Sequence, residues 1–353
     1  MNDLMQIFFH FLRKGLWYDD KEDKVRDISR GEWMRLFALA HEQAVTGLFI
    51  DGVSQTAMRP DEDIWVKWIA HLLHLEQMNS FMAERGSWWT DMLASKGIRA
   101  EIFKGTSVAG WYPHPEHRSY GDIDIVVTEG WDNLESLLAN LRLTILYEKE
   151  GIAIYENRNT LVEFHPQWEH LYSPAANARY QEMCRESGMI SKELYLVSLI
   201  LHLQRHFLIY GVGLKQVCDI AVMIRYSEAD MDKTAEILSR LHTVRFSCLL
   251  FGFIEKYLGG SCRYPLPPDP DGKKISVMED VFFRDGYRLQ SEREHIASGT
   301  RNTAARIGVN AMFWFKRSLK LISVLPEESV CFLLDKSLSR MCGLFSRKNF
   351  LKT

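Results

Sequence analysis

Apolar residues recur at three- and four-residue intervals over Met5–Leu12, Gly31–Gln43, Ile64–Trp89 and Trp89–Lys96, with charged or Gly/Pro turns such as Met58-Arg59-Pro60-Asp61 between them. That spacing predicts helices through residues 1–96. The period then changes. Ile98–Phe103 and Ile123–Val127 read as strands, Thr106–Trp111 as a short helix, and Trp131–Leu141 as a helix whose Asp132 and Glu135 suit a first turn. Three more strand-like runs follow, Leu143–Glu148, Ile152–Glu156 and Thr160–His165, with hairpin chemistry around Glu150-Gly151 and Asn157-Arg158-Asn159. From about residue 185 helical spacing returns over Lys192–Ile209, Leu214–Tyr226, Met231–Leu241 and Val244–Tyr257. The segment from Tyr264 to Gly272 carries too many prolines to continue a helix, and beyond it Lys274–Arg293 and Ala304–Val324 read as helices. The pattern predicts an α+β fold: a small mixed β-sheet with helices on one side, flanked by N-terminal and C-terminal helical regions. Its expected divisions are a helical cap (1–96), an α/β core (97–184), a helical bundle packed on that core (185–262) and a C-terminal helical region after a Pro-rich linker (263–353).

Composition changes this picture little. A chain of 353 residues with 46% hydrophobic and 25% charged residues reads as an ordinary globular protein with room for a large core. Its ten Trp and nineteen Phe predict thick helix-helix packing. A net charge of −3 provides no bulk attraction for an anionic membrane and argues against long nucleic acid as a partner. The six cysteines form no C-x-x-C pair, which points to buried thiols in a reduced, cytoplasmic setting. The N-terminal apolar run follows an acid and has no small-residue cleavage site, so no signal peptide is expected. The most apolar stretch, Leu196–Leu214, is interrupted by His202, Gln204, Arg205 and His206, so no transmembrane segment is expected either.

The chemistry concentrates between Ile102 and Val127. In the strand Gly121-Asp122-Ile123-Asp124-Ile125-Val126-Val127, alternation sends Asp122, Asp124 and Val126 to one face and Ile123, Ile125 and Val127 to the other. Two carboxylates side by side are unfavourable without a cation between them, and hard oxygen ligands at this spacing suit Mg²⁺, which also binds phosphates. Upstream, the turn Lys104-Gly105-Thr106-Ser107 offers backbone N–H groups and two hydroxyls to an anion. Together they read as a phosphate cradle facing a carboxylate pair.

A Gly-Thr/Ser turn followed by a Gly-Asp-x-Asp strand resembles the polymerase-β-like nucleotidyltransferase superfamily. The longer string KG…WYP…R…GDIDIVV resembles its bacterial branch of uncharacterised nucleotidyltransferases, over residues 95–170 and more loosely to about 226. The resemblance implies that Gly105, Thr106 and Ser107 form a triphosphate turn. It implies that Asp122 and Asp124 bind two divalent ions, expected to be Mg²⁺, and that Glu163 in Leu161-Val162-Glu163-Phe164-His165 completes the site. The activity implied is transfer of a nucleoside monophosphate from an NTP to an acceptor hydroxyl, with release of pyrophosphate. The alternative is a catalytically inactive nucleotide- or partner-binding protein that retains the fold. A site with Glu163 far from the Asp pair favours that alternative. A scaffold built from the flanking helices, binding no nucleotide, is a third reading, and nothing in the sequence selects the acceptor.

Other residues carry two readings each. Lys104 meets a phosphate or points to solvent, and Arg118, with Ser119, reaches phosphate or the Asp pair or else forms a structural salt bridge. His165, on one face with Glu163, orients that carboxylate or packs as a polar residue. His202 and His206 have zinc-ligand spacing but no adjacent Glu, which favours an interhelical hydrogen bond over a metal. His114 and His117 sit in a loop with Pro113 and Pro115, without evident partners. Lys215 and Asp219 read first as an i,i+4 ion pair and second as lining of a pocket. From Arg301 onward basic residues outnumber acidic ones and aromatics interleave with them, as in an amphipathic surface or, more simply, a solvated helix face.

Overall fold

The computed structural model describes residues 3–18, 25–119, 121–141, 145–147, 151–155, 160–209, 211–260, 263–285 and 303–336. Contacts divide the chain into one unit of residues 1–168, 214–228 and 257–262 and another of 169–213, 229–256 and 263–353.

The first unit opens with α1 (Asp3–Trp17), α2 (Arg30–Glu42), α3 (Thr46–Ser54) and α4 (Glu62–Ser95). The predicted break at Trp89 is absent, and α4 runs unbroken for 34 residues. Gly86 is where the helix meets the sheet, since a Cβ there would lie 2.8 Å from Ile102 Cδ1. Helix α3 had no counterpart in the hydrophobic pattern. Its residues Thr46–Val53 are all buried, so no polar face marks the helical period. The abundant aromatics do pack helix on helix: Phe37 stacks on Trp68 at 4.9 Å, and Phe11 meets Phe49 edge-on at 5.7 Å.

Next come β1 (Arg99–Phe103), α5 (Gly105–Ala109), a 3₁₀ turn at Pro115–His117, β2 (Asp122–Glu129) and α6 (Trp131–Asn140). They are followed by β3 (Ile145–Tyr147), β4 (Ile152–Tyr155) and β5 (Leu161–His165). The outer parts of the predicted strand Leu143–Glu148 and the two predicted hairpin links lie mostly outside the described residues. The five strands form one mixed sheet in the order β1-β2-β5-β4-β3. β2 runs antiparallel to β1 and parallel to β5, while β4 is antiparallel to both its neighbours. One face buries Ile123, Ile125, Val127, Ile152, Ile154, Val162 and Phe164 against Met82, Trp89 and Leu93 of α4 and Leu134 and Leu138 of α6. This is the predicted α+β core with helices on that face, and the alternation leaves Asp122, Asp124, Glu163 and His165 on the other.

The second unit is helical. It holds α7 (Pro174–Ser187), α8 (Lys192–Ile209), α10 (Met231–Arg240), most of α11 (Val244–Tyr257) and α12 (Gly272–Asp280). α9 (Leu214–Tyr226), which lies between α8 and α10 in the chain, counts with the first unit. α12 widens into a π turn at Val281–Asp285, and helices resume at Thr303–Leu321 and 326–336. Phe207 touches Phe246 and Phe282, and Glu328 accepts the backbone N–H groups of Tyr172 and Ser173 at 2.8 and 2.9 Å. The Pro-rich segment ends helix formation as expected. It also lies close along α11: Asp269 donates its N–H to the Cys248 carbonyl at 2.8 Å, and a Cβ on Gly252 would meet the Asp269 carbonyl. Among the described residues no helix is long and apolar enough to cross a membrane. Cys184, Cys218, Cys248 and Cys331 are thiols, while Cys262 and Cys342 lie outside the described residues.

Candidate functional site

Because β2 and β5 are parallel and in register, Asp124 sits beside Glu163 and Val126 beside His165. Asp122 shares the face of Asp124, two residues earlier on the same strand. The carboxylate expected on a later strand is therefore a direct neighbour of the Asp pair. His165 Nε2 lies 2.9 Å from Asp124 Oδ1 and 3.5 Å from Glu163 Oε2. A hydrogen bond to that carboxylate requires Nε2–H, so His165 acts chiefly on Asp124, where the sequence had suggested Glu163. Asp124, Glu163 and His165 each offer one ligand atom, all within 4.8 Å of one another. Asp122 is outside that close trio and couples to it through charge.

The electrostatics follow from this crowding. The charge of Asp124, then burial, raises the Asp122 carboxyl above its ordinary range, against the pull of Lys104, Lys215 and Arg118. Burial first and Asp124 second raise Glu163, while His165 works the other way. Such a set holds protons, or a cation, more readily than isolated acids do. The donors are carboxylate oxygens with one imidazole at the edge, which fits a hard divalent ion such as Mg²⁺.

Three cations border the acids. Lys104 follows β1 in a left-handed conformation (φ 63°) and places Nζ 3.0 Å from Asp124 Oδ1, so its side chain turns inward rather than to solvent. Gly105 is also left-handed (φ 48°), which a glycine accepts without strain. Thr106 is half-buried on the first turn of α5, and the Ser107 hydroxyl donates to the Lys104 carbonyl at 2.7 Å, fastening the turn. Arg118 is buried, with Nε and Nη2 each donating to an Asp219 oxygen at 2.7 Å. The Tyr112 hydroxyl donates to the same carboxylate at 2.6 Å. Asp219 is thereby engaged by Arg118, and the expected i,i+4 pair with Lys215 does not form. Lys215 is subject to the charges of the acids: burial, then the charge of Arg118, lowers its amine, while Asp122, Asp219 and Asp124 oppose that shift.

Gln43 holds the start of α9, accepting the Leu214 N–H at 3.0 Å on its side chain and the Lys215 N–H at 3.3 Å on its backbone carbonyl. The histidines also differ from expectation. His202 Nδ1 lies 2.6 Å from Glu169 Oε1, a carboxylate of the loop after β5. His114 and His117 do have partners, in Tyr18, Asp51 and Glu76.

A family model described as "Uncharacterised nucleotidyltransferase" matches residues 29–259. No curated protein and no solved structure matches the chain.

Proposed function

The chain belongs to the uncharacterised nucleotidyltransferase family, and from that premise we propose that it is a metal-dependent enzyme moving a nucleoside monophosphate from an NTP to an acceptor hydroxyl. The observation that carries this reading is the register placing Glu163 beside Asp124, with Asp122 on the same face. Adjacent carboxylates favour turnover over a binding-only descendant, for which a displaced third acid was the signature.

In this reading Asp122, Asp124 and Glu163 hold divalent metal, and bound Mg²⁺ would neutralise charge on the phosphates and activate the acceptor oxygen. His165 keeps Asp124 oriented through its Nε2–H. Glu163, raised by burial, suits acceptance of the acceptor's proton. The acceptor oxygen forms a bond to the α-phosphorus as the bond to the bridging oxygen breaks and pyrophosphate leaves. Lys104 and the Gly105–Thr106–Ser107 turn, beside the carboxylates, receive the phosphates. Arg118 and Lys215 supply background positive charge that acts on Asp122.

Calorimetric titration with a non-hydrolysable triphosphate, with and without Mg²⁺, tests this directly. Affinity should drop sharply without Mg²⁺, and Asp122→Asn and Asp124→Asn should each remove the Mg²⁺-dependent increment. Equal affinity under both conditions would refute the metal site. Pyrophosphate release screened across hydroxyl acceptors then reads turnover, and Glu163→Gln should lower it by about 10²–10⁴-fold.

A further inference from the structure

We infer that the loop leading into β2 carries a second cation site, of zinc character, formed by His114, Glu116 and His117. It shares no residue with the carboxylate site, and its nitrogen-rich donors select a different ion.

His117 is buried, and its Nδ1 lies 2.8 and 2.9 Å from the two oxygens of Asp51. That contact makes Nδ1 the donor and turns Nε2 toward Glu76 Oε1 at 3.0 Å and Glu116 Oε1 at 4.0 Å. His114 repeats the arrangement: Nε2 meets the Tyr18 hydroxyl, while Nδ1 lies 3.4 Å from the same Glu116 oxygen. One ligand atom each from His114, Glu116 and His117 falls within 4.8 Å of the others. In both rings the far nitrogen is held by an oxygen and the near nitrogen faces a shared carboxylate. This is how imidazoles that ligate metal are oriented by their outer partners. Two nitrogens and one carboxylate oxygen make a three-donor set suited to Zn²⁺, which often takes water in its fourth tetrahedral position. A hydrogen-bond network between Asp51 and Glu76 accounts for His117 alone. It leaves unexplained a second imidazole aimed at the same carboxylate.

The loop is rigidly placed for such a role. Asn79 Nδ2 donates to the carbonyls of Glu116 and Arg118 at 2.5 and 2.8 Å, and a Cβ on Gly47 would lie 2.1 Å from the His117 carbonyl. A bound ion would tie the loop together one residue before Arg118, steadying the approach to β2.

The test uses the full-length, metal-stripped protein titrated with Zn²⁺ alone in a calorimeter, against a background of excess Mg²⁺. Wild type and Asp124→Asn should each take up one tight equivalent. The double variant His114→Ala, Glu116→Gln alters two partly exposed side chains, and it should bind at least about 100-fold more weakly while keeping its circular dichroism and Mg²⁺-dependent nucleotide binding. Asp51→Asn should weaken binding by about 10–100-fold, as loss of an outer partner does. Absence of a tight equivalent in wild type would overturn the proposal. So would uptake unchanged in the double variant, or uptake lost in Asp124→Asn.

Discussion

Asp219 receives three hydrogen bonds in a buried setting, two from Arg118 and one from Tyr112. Removing one partner of such a pair leaves an uncompensated buried charge, so Arg118→Ala should cost about 3–5 kcal/mol in denaturant unfolding. Arg118→Lys should rescue little, because an ammonium cannot reproduce the two-pronged contact; a near-neutral Arg118→Ala would show that the pair contributes no stability. A surface residue gives the contrasting case. Glu32 accepts from Arg26 Nη2 at 2.6 Å and, as part of a capping box, from the Ser29 N–H and hydroxyl at 3.0 and 2.8 Å. Arg26 first, then the Ser29 backbone and side chain, hold its carboxyl down from 4.5 to about 2. A carboxyl lowered in the folded state stabilises above its unfolded value and loses that contribution as pH falls through the folded one. Thermal melts across the window from 4.5 down to about 2 should therefore show a shallower pH dependence for Glu32→Gln than for wild type.

At the level of elements, the helix that sequence pattern missed is among the most tightly placed. α1 and α3 approach until a Cβ on Gly15 would lie 1.9 Å from the Leu48 carbonyl, and one on Gly52 would lie 1.7 Å from that of Phe11. In an exposed helix Gly→Ala gains about 1 kcal/mol. Here the sign should reverse, with Gly52→Ala destabilising by about 1–3 kcal/mol because backbone must move. A stabilised Gly52→Ala would mean that the helices do not cross so closely. The same closeness explains why α3 was not legible. Its period is hidden because every side is buried, and its glycines read as breakers. α4 was legible in character but not in extent: the apolar spacing divides at Trp89, while the helix continues through it to Ser95. Trp89 stacks edge-on with Phe164 at 5.1 Å, so Trp89→Ala should cost about 3–5 kcal/mol and loosen α4 from the sheet.

Across the whole molecule, the two units each carry their own buried aromatic and aliphatic residues; of the described thiols Cys218 is buried, while Cys184, Cys248 and Cys331 are partly exposed, fewer buried than the sequence suggested. Burial pushes the Cys184 thiol up to about 11 and that of Cys218 higher still. A thiol reagent at pH 8 should leave both unmodified in the native protein and reach them in guanidinium; rapid native labelling of Cys218 would contradict its placement in α9. Much of the site was readable beforehand. A strand alternates strictly, so Asp122 with Asp124, and Glu163 with His165, had to share faces, and the chain had to bury Ile123, Ile125, Val162 and Phe164 opposite them. Local chemistry fixed those relations because they depend on neighbours one or two residues away. Which acid would meet which cation did not follow, because Arg118 and Asp219, or Lys104 and Asp124, become partners only through the path of the chain. The parallel pairing of β2 with β5, made after a crossover through α6, β3 and β4, brings Glu163 to Asp124. Arg118 and Tyr112, distant in the chain, take up the Asp219 carboxylate that lies one helical turn from Lys215. Composition and periodicity thus determined the faces, and tertiary packing alone decided the partners across them, since charge pairing is set by distance in space and spacing along the chain carries no record of it.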